Sequence, residues 1–187
     1  MLTEFQKQKL PRLFAVHDLN RDGTINRADF EEYTRRIAST RGWGPESQEY
    51  KELLSRFLMF WDELEKTARA RGASQVTVTE WLAHWDAILQ TPALYDQLAP
   101  IGRLVFTILD QDGDGRVTAG EYQAVFTEGG LDSAQAAEAF ARLDLDHDGR
   151  LMIEEIMTLL EQFFRSEDPA EPGNALFGII PEVHAVA

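Results

Sequence analysis

Apolar side chains recur along this chain at spacings of three and four, in blocks separated by short polar segments that carry glycine. Leu10, Leu13 and Phe14 align before the first segment, and Phe30, Tyr33 and Ile37 follow it. Leu104, Val105, Phe106 and Ile108 precede another, with Tyr122 and Val125 beyond it. Ala136, Ala137, Phe140 and Leu143 precede the last, and Ile153, Ile156, Leu159, Leu160 and Phe163 continue after it. Such spacing is that of helices burying one face, so the expected class is all-α. Between these blocks, Leu53, Leu54, Phe57, Phe60, Trp61 and Leu64 form a wide apolar face, matched by Trp81, Leu82, Trp85, Ile88 and Leu89. The turn residues Arg41-Gly42-Trp43-Gly44-Pro45 predict a long helix from about Glu46, and Ser133 is expected to cap a later one. Pro11, which lacks an N–H, predicts either a kink in the first helix or its effective start. Further breaks are expected at Thr91-Pro92 and Gly129-Gly130.

The polar segments repeat one pattern. Asp18-Leu19-Asn20-Arg21-Asp22-Gly23, Asp110-Gln111-Asp112-Gly113-Asp114-Gly115 and Asp144-Leu145-Asp146-His147-Asp148-Gly149 are each followed by an aliphatic residue, Ile25, Val117 or Leu151. An acid closes each twelve-residue unit at Asp29, Glu121 and Glu155, and a phenylalanine stands four residues ahead of each at Phe14, Phe106 and Phe140. A damaged fourth copy ends at Glu80. It places Arg69 first, Arg71 third, Ala73 fifth and Ser74 where glycine belongs, yet keeps Val76, Trp81, Leu82 and Trp85. Two arginines in place of two carboxylates repel a cation, so this loop is expected to pair structurally with the first. With unit starts at 18, 69, 110 and 144, the chain divides into an N-terminal pair over 1–90, a C-terminal pair over 92–165 and a tail over 166–187 that packs on the core.

Alternating oxygen ligands in a twelve-residue loop between two helices suit calcium, a hard cation that takes six to eight oxygens at about 2.4 Å. The expected architecture is therefore four EF-hand helix-loop-helix units in two packed pairs, folded as a compact globule. In the third unit the ligands are Asp110, Asp112, Asp114, the Arg116 carbonyl and Glu121, with Thr118 placing a water. In the fourth they are Asp144, Asp146, Asp148, the Arg150 carbonyl and Glu155, while Met152 stands where a polar residue usually steadies a water. In the first they are Asp18, Asn20, Asp22, the Thr24 carbonyl, Asn26 and Asp29. Aspartate is one methylene shorter than glutamate. Asp29 is thus expected to reach an ion with one oxygen, lowering coordination toward six and letting Mg²⁺ compete with Ca²⁺ there. Three Ca²⁺ sites follow. His147 is expected to point into solvent.

These residues resemble the sarcoplasmic calcium-binding proteins and the bacterial calerythrin group, on a match that covers most of the chain. Its marks are four units with a degenerate second, a wide gap between the first two, Phe60-Trp61-Asp62, Thr79-Glu80-Trp81 and the tail segment Pro172-Gly173-Asn174-Ala175-Leu176-Phe177-Gly178. The resemblance implies two halves packed together with the tail folded against them, and a calcium buffer or carrier in place of a target-binding switch. Asp29 and Met152 depart from the usual loop and leave affinity open.

Composition narrows the alternatives. A formal net charge of -14 disfavours nucleic acid and anionic membranes while favouring cations. The absence of cysteine removes disulfides, thiolate metal sites and cysteine nucleophiles, and it suits a reducing cytoplasm. No apolar run is long enough to span a bilayer and no signal-peptide core opens the chain, so a cytoplasmic monomer is expected. No catalytic motif appears, and His17, His84, His147 and His184 share none, so no enzyme is expected. Two rivals remain. A sensor would open a methionine-rich groove for a partner protein, but the chain has only four methionines, one of them at position 1. A luciferin-binding relative would line a cavity with Trp43, Trp61, Trp81, Trp85 and His84. Against the sensor, Leu176, Phe177, Ile179 and Ile180 in the tail are expected to plug any remaining groove and so compete with targets.

Overall fold

Thr3 starts the first helix. Its hydroxyl accepts the Gln6 amide N–H while the Gln6 side chain takes the Thr3 N–H, and helix α1 then runs Glu4–His17. A computed structural model describes residues 1–92, 99–128 and 132–178. Pro11 lies inside α1 and does not mark its start. The reciprocal Thr3–Gln6 cap and the buried face of Leu10, Leu13 and Phe14 hold the helix on both sides of it. Helix α2 spans Arg27–Thr40, α3 Gln48–Ala70 and α4 Val78–Gln90. Helix α3 starts at Gln48, two residues later than the turn sequence suggested, because Ser47 caps it with its hydroxyl accepting the Tyr50 N–H.

In the second half, α5 spans Ala99–Leu109 and strand β1 Val117–Thr118, with α6 over Ala119–Glu128 and α7 over Ser133–Leu143. Strand β2 (Arg150–Leu151), α8 (Ile153–Arg165) and a short 3-10 turn, Pro172–Ala175, complete it. Ser133 is the first helical residue of α7, not its cap. Asp132 takes that role, accepting the Gln135 N–H at 2.9 Å, because a carboxylate is the stronger acceptor at a positive helix end. The expected break at Gly129-Gly130, the plugs Ile179 and Ile180, and His184 lie outside the described residues.

The polar loops meet in pairs through their aliphatic positions. Val117 pairs with Leu151 and Thr118 with Arg150 in a two-stranded antiparallel ladder. In the first half the ladder shrinks to one bridge, with the Ile25 N–H donating to the Val76 carbonyl at 2.8 Å. The chain is thus an all-α set of helix-loop-helix units in two pairs. One continuous apolar core joins the halves, with Trp85 stacked on Phe164 at 4.5 Å between ring centres. The Trp81 indole donates to the Leu10 carbonyl.

The described part of the tail, up to Gly178, is built into this core. Gly173 packs so tightly on α8 that a Cβ there would lie 2.3 Å from the Leu159 carbonyl. Leu176 is fully buried, its carbonyl accepting the Tyr122 hydroxyl at 3.2 Å, and Phe177 meets Phe163 and Phe126 edge-on. Lys9, buried on α1, donates to the Gln162 and Ser166 carbonyls and to Asn174 Oδ1. Burial lowers its pKa to about 8, against the pull of nearby Glu171. Among the described residues no helix is long and apolar enough to cross a membrane.

Candidate metal centres

Each of the three acidic loops begins where a helix ends. Asp18, Asp110 and Asp144 are the residues at which α1, α5 and α7 stop, and their N–H groups donate to the carbonyls of Phe14, Phe106 and Phe140 at 2.9, 2.8 and 3.0 Å. The repeated phenylalanine therefore serves twice, with its carbonyl holding the first aspartate and its ring packing in or against the core. Gly23, Gly115 and Gly149 all adopt φ +83, a left-handed conformation that side chains resist and that turns the chain back on itself. Their N–H groups donate to Asp18, Asp110 and Asp144 at 3.0, 3.1 and 2.8 Å.

The aspartates converge in the second half. Carboxylate oxygens of Asp110, Asp112 and Asp114 all lie within 4.8 Å of one another, and so do those of Asp144, Asp146 and Asp148. Two ligands on opposite sides of a calcium ion stand about 4.8 Å apart, so both triads fit that ion. Asp114 and Asp148 accept the Arg116 and Arg150 N–H groups at 2.9 Å each, fixing those residues at the seventh place. Thr24 is held the same way, its N–H and hydroxyl both donating to Asp22 at 2.8 and 2.7 Å. Asn20 bonds Asp22 through its amide. The Asn26 side-chain oxygen accepts the Ala28 N–H, which makes it the N-cap of α2.

The closing acids differ by one methylene, and the difference is visible. Glu121 reaches both ends of its loop. One oxygen accepts the Gln111 N–H at 2.8 Å near the start, and the other accepts the Thr118 N–H at 2.8 Å and its hydroxyl at 2.9 Å. Glu155 does likewise, bonding Leu145 at 3.2 Å and Met152 at 2.9 Å. Asp29 holds only the near end, accepting the Asn26 N–H at 2.9 Å, while the Leu19 N–H turns to the His17 carbonyl. Burial alone would raise the pKa of Glu121, but the donors of Thr118, Gln111 and Asp112 hold it below the usual range. The Asp29 carboxyl is pushed up, first by burial and then by Asp22 and Asp18, with Asn26 opposing.

The first half of the second unit departs from the loop conformation. Helix α3 runs on through Arg69 and Ala70, the first two places of that unit. It ends in a tight cap in which the Ala73 N–H reaches back to Ala68 and Gly72 sits at φ +79. The left-handed glycine thus comes two residues before the place that Ser74 fills in the twelve-residue alignment. Arg69 pairs with Glu65 on the outer face. Glu80 serves as a cap, bonding Thr77. His147 is exposed at φ 61 on the fourth loop.

His84 and Trp85, named above as cavity lining, share a ring cluster with His17, which no motif marked. The His17 Nδ1, His84 Nε2 and Trp85 Nε1 atoms are buried without hydrogen-bond partners, inside a set of rings centred on Phe60. Burial lowers the pKa of His17 to about 3, and that of His84 to about 4 against the pull of Glu63.

A family model described as EF hand matches residues 12–32, 103–126 and 136–160, the three stretches that carry the acidic loops. Calerythrin of Saccharopolyspora erythraea is 28% identical over 166 residues, covering 87% of this chain and 94% of its own. Sarcoplasmic calcium-binding proteins I, III and IV of Branchiostoma lanceolatum are 28% identical over 190 residues, covering 96% of this chain and all of theirs. Among solved structures, the coelenterazine-binding protein of Renilla muelleri superposes with a TM-score of 0.70 at 23% identity, over 96% of this chain and 100% of that one.

Proposed function

We propose that the chain is an EF-hand calcium-binding protein of the calerythrin and sarcoplasmic type and acts as a cytoplasmic Ca²⁺ buffer or carrier with three metal sites. Its relatives are calcium-binding proteins, not enzymes. Asp110, Asp112, Asp114 and Glu121 would hold one ion with the Arg116 carbonyl. Asp144, Asp146, Asp148 and Glu155 would hold a second with that of Arg150. Asp18, Asn20, Asp22 and Asp29 would hold a third with that of Thr24, and there Mg²⁺ competes. A bound ion supplies positive charge that relieves the mutual repulsion of four carboxylates in each C-terminal loop.

The observation that carries the buffer reading is the tail. Leu176 and Phe177 fill the apolar face of the C-terminal pair against Tyr122, Phe126 and Phe163, where a partner helix would otherwise dock. Sites of the buffer class bind at about 10⁻⁹–10⁻⁸ M, or about 11–12 kcal/mol per ion. The test pairs a calorimetric Ca²⁺ titration with a hydrophobic dye. The reading predicts three tight sites and no rise in dye emission on loading. A rise in emission with Ca²⁺ would favour the sensor.

The three unpartnered ring nitrogens favour a second reading, in which the rings around Phe60 hold a small hydrogen-bonding ligand, with coelenterazine, named for the Renilla protein, as the probe. Incubation with coelenterazine followed by gel filtration tests it. Stoichiometric co-elution supports the second reading and none removes it.

A further inference from the structure

The end of α2 touches the third loop directly. Arg41 closes α2, its N–H donating to the Ala38 carbonyl, and Gly42 at φ +67 turns the chain so that the Trp43 N–H also returns to Ala38. This turn lays the Trp43 ring under the Arg41 guanidinium, 4.9 Å from its centre. So held, Arg41 Nη1 donates to the main-chain carbonyl of Asp110, across 69 residues of sequence. Asp110 is the first residue of the third loop, and its carboxylate receives the Gly113 and Gly115 N–H groups. At the opposite end of α2, Asp29 closes the first loop. One helix of 14 residues, about 21 Å long, therefore has the first loop's closing carboxylate near its start and a cation against the third loop at its end.

We infer that Arg41 is a positioning residue that couples the first and third metal loops through α2. It rests on the third loop binding Ca²⁺. Two effects converge on Asp110. The charge-assisted bond fixes the carbonyl and with it the direction from which the side chain enters the loop. The guanidinium also brings a positive charge to a loop with four carboxylates. An ion in the first loop draws Asp29 and sets α2, and α2 sets Arg41. By reciprocity, an ion in the third loop is felt in the N-terminal half to the same extent. The reporter is native. All four tryptophans, Trp43, Trp61, Trp81 and Trp85, lie in the first 90 residues; Trp85 also stacks on Phe164 of the other half, so the emission that reads the coupling is that of Trp43 beside Arg41.

The test uses the full chain with the fourth loop silenced by Glu155→Gln, with and without Asp18→Ala in the first loop, and with Arg41 intact or changed to Gln. Third-site affinity is read by calorimetry. Disabling the first loop is expected to lower it about fivefold with Arg41 present and less than twofold in Arg41→Gln, fivefold being the lower end of usual coupling. Filling the third site should change the Trp43 emission only when Arg41 is present, and Trp43→Phe should remove that change. Arg41→Lys keeps the charge and a donor, so it should retain part of the coupling, which a merely disruptive loss of Arg41 would not. An equal fall in both backgrounds, no fall in either, or an emission change indifferent to Arg41→Gln overturns the inference. Absence of Ca²⁺ binding by the third loop in the unaltered chain would overturn the functional reading itself.

Discussion

In the third loop Glu121 holds both the entry and the exit of the turn, and in the fourth Glu155 does the same; in the first, Asp29 holds only the exit. The pairing of loops follows the same gradient, from a two-residue ladder in the C-terminal half to a single bridge in the N-terminal half. The second loop completes the series, keeping its packing residues Val76 and Trp81 while α3 runs through the places of its first ligands. What the comparison teaches is that scaffold and ligand set separate cleanly. The aliphatic positions keep two loops paired whatever they bind, whereas the closing acid decides how far the metal shell is assembled in advance.

The sharpest way to break this comparison is Glu121→Gln. It removes the charge that spans the third loop and is expected to weaken that site about a hundredfold, ~2.7 kcal/mol, by calorimetry. A loss no larger than that of Asn26→Ala in the first loop would contradict the ligand ranking, since the Asn26 side chain caps α2.

Next in size is a pH effect confined to the N-terminal half. The folded pKa of His84 lies near 4, below the ordinary 6.5, so the folded form stays neutral while the unfolded chain takes up a proton. Stability should then rise with pH between about 4 and 6.5 and level off above. His84 should account for about 2 kcal/mol of the loss between pH 7 and pH 5. Urea unfolding of the Ca²⁺-loaded chain and of His84→Gln checks this, and the variant should show the shallower slope.

The first loop offers the converse change. Asp29→Glu restores the missing methylene and should raise Ca²⁺ affinity there about tenfold while weakening Mg²⁺ competition, about 1.4 kcal/mol. Titration with and without Mg²⁺ would show it. The smallest effect is expected where the sequence looks easiest to repair. Arg69→Asp with Arg71→Asp should create no fourth site, because α3 and the Gly72 cap hold that segment away from the loop conformation. An added equivalent of bound Ca²⁺ would show that ligands alone had been missing.

Much of this was legible in the sequence because calcium loops are local. Aspartates, glycine, aliphatic residue and closing acid stand at fixed places, and the helix periods flank them. The overrun of α3 was hidden because the twelve-residue alignment was carried onto Arg69 and Arg71, both good helix formers, ahead of the capping signal of Gly72. Asp132 and Ser133 are both cap residues, and only the geometry separates them. The Arg41–Asp110 bond and the clasp of Lys9 on Asn174 join residues far apart in sequence, and no periodicity marks such contacts.

The most direct test of the account follows the sixth-place amides by ¹H–¹⁵N NMR while Ca²⁺ is added to metal-stripped protein in millimolar Mg²⁺. Gly115 and Gly149 donate to Asp110 and Asp144, Gly23 donates to Asp18, and Ser74 occupies the equivalent place in the second unit. The account predicts that Gly115 and Gly149 shift at the first equivalents, that Gly23 shifts later as Mg²⁺ is displaced, and that Ser74 shows no saturable shift of its own. A Ser74 that titrates as a separate site, or a Gly23 that saturates ahead of Gly115 and Gly149, would contradict it.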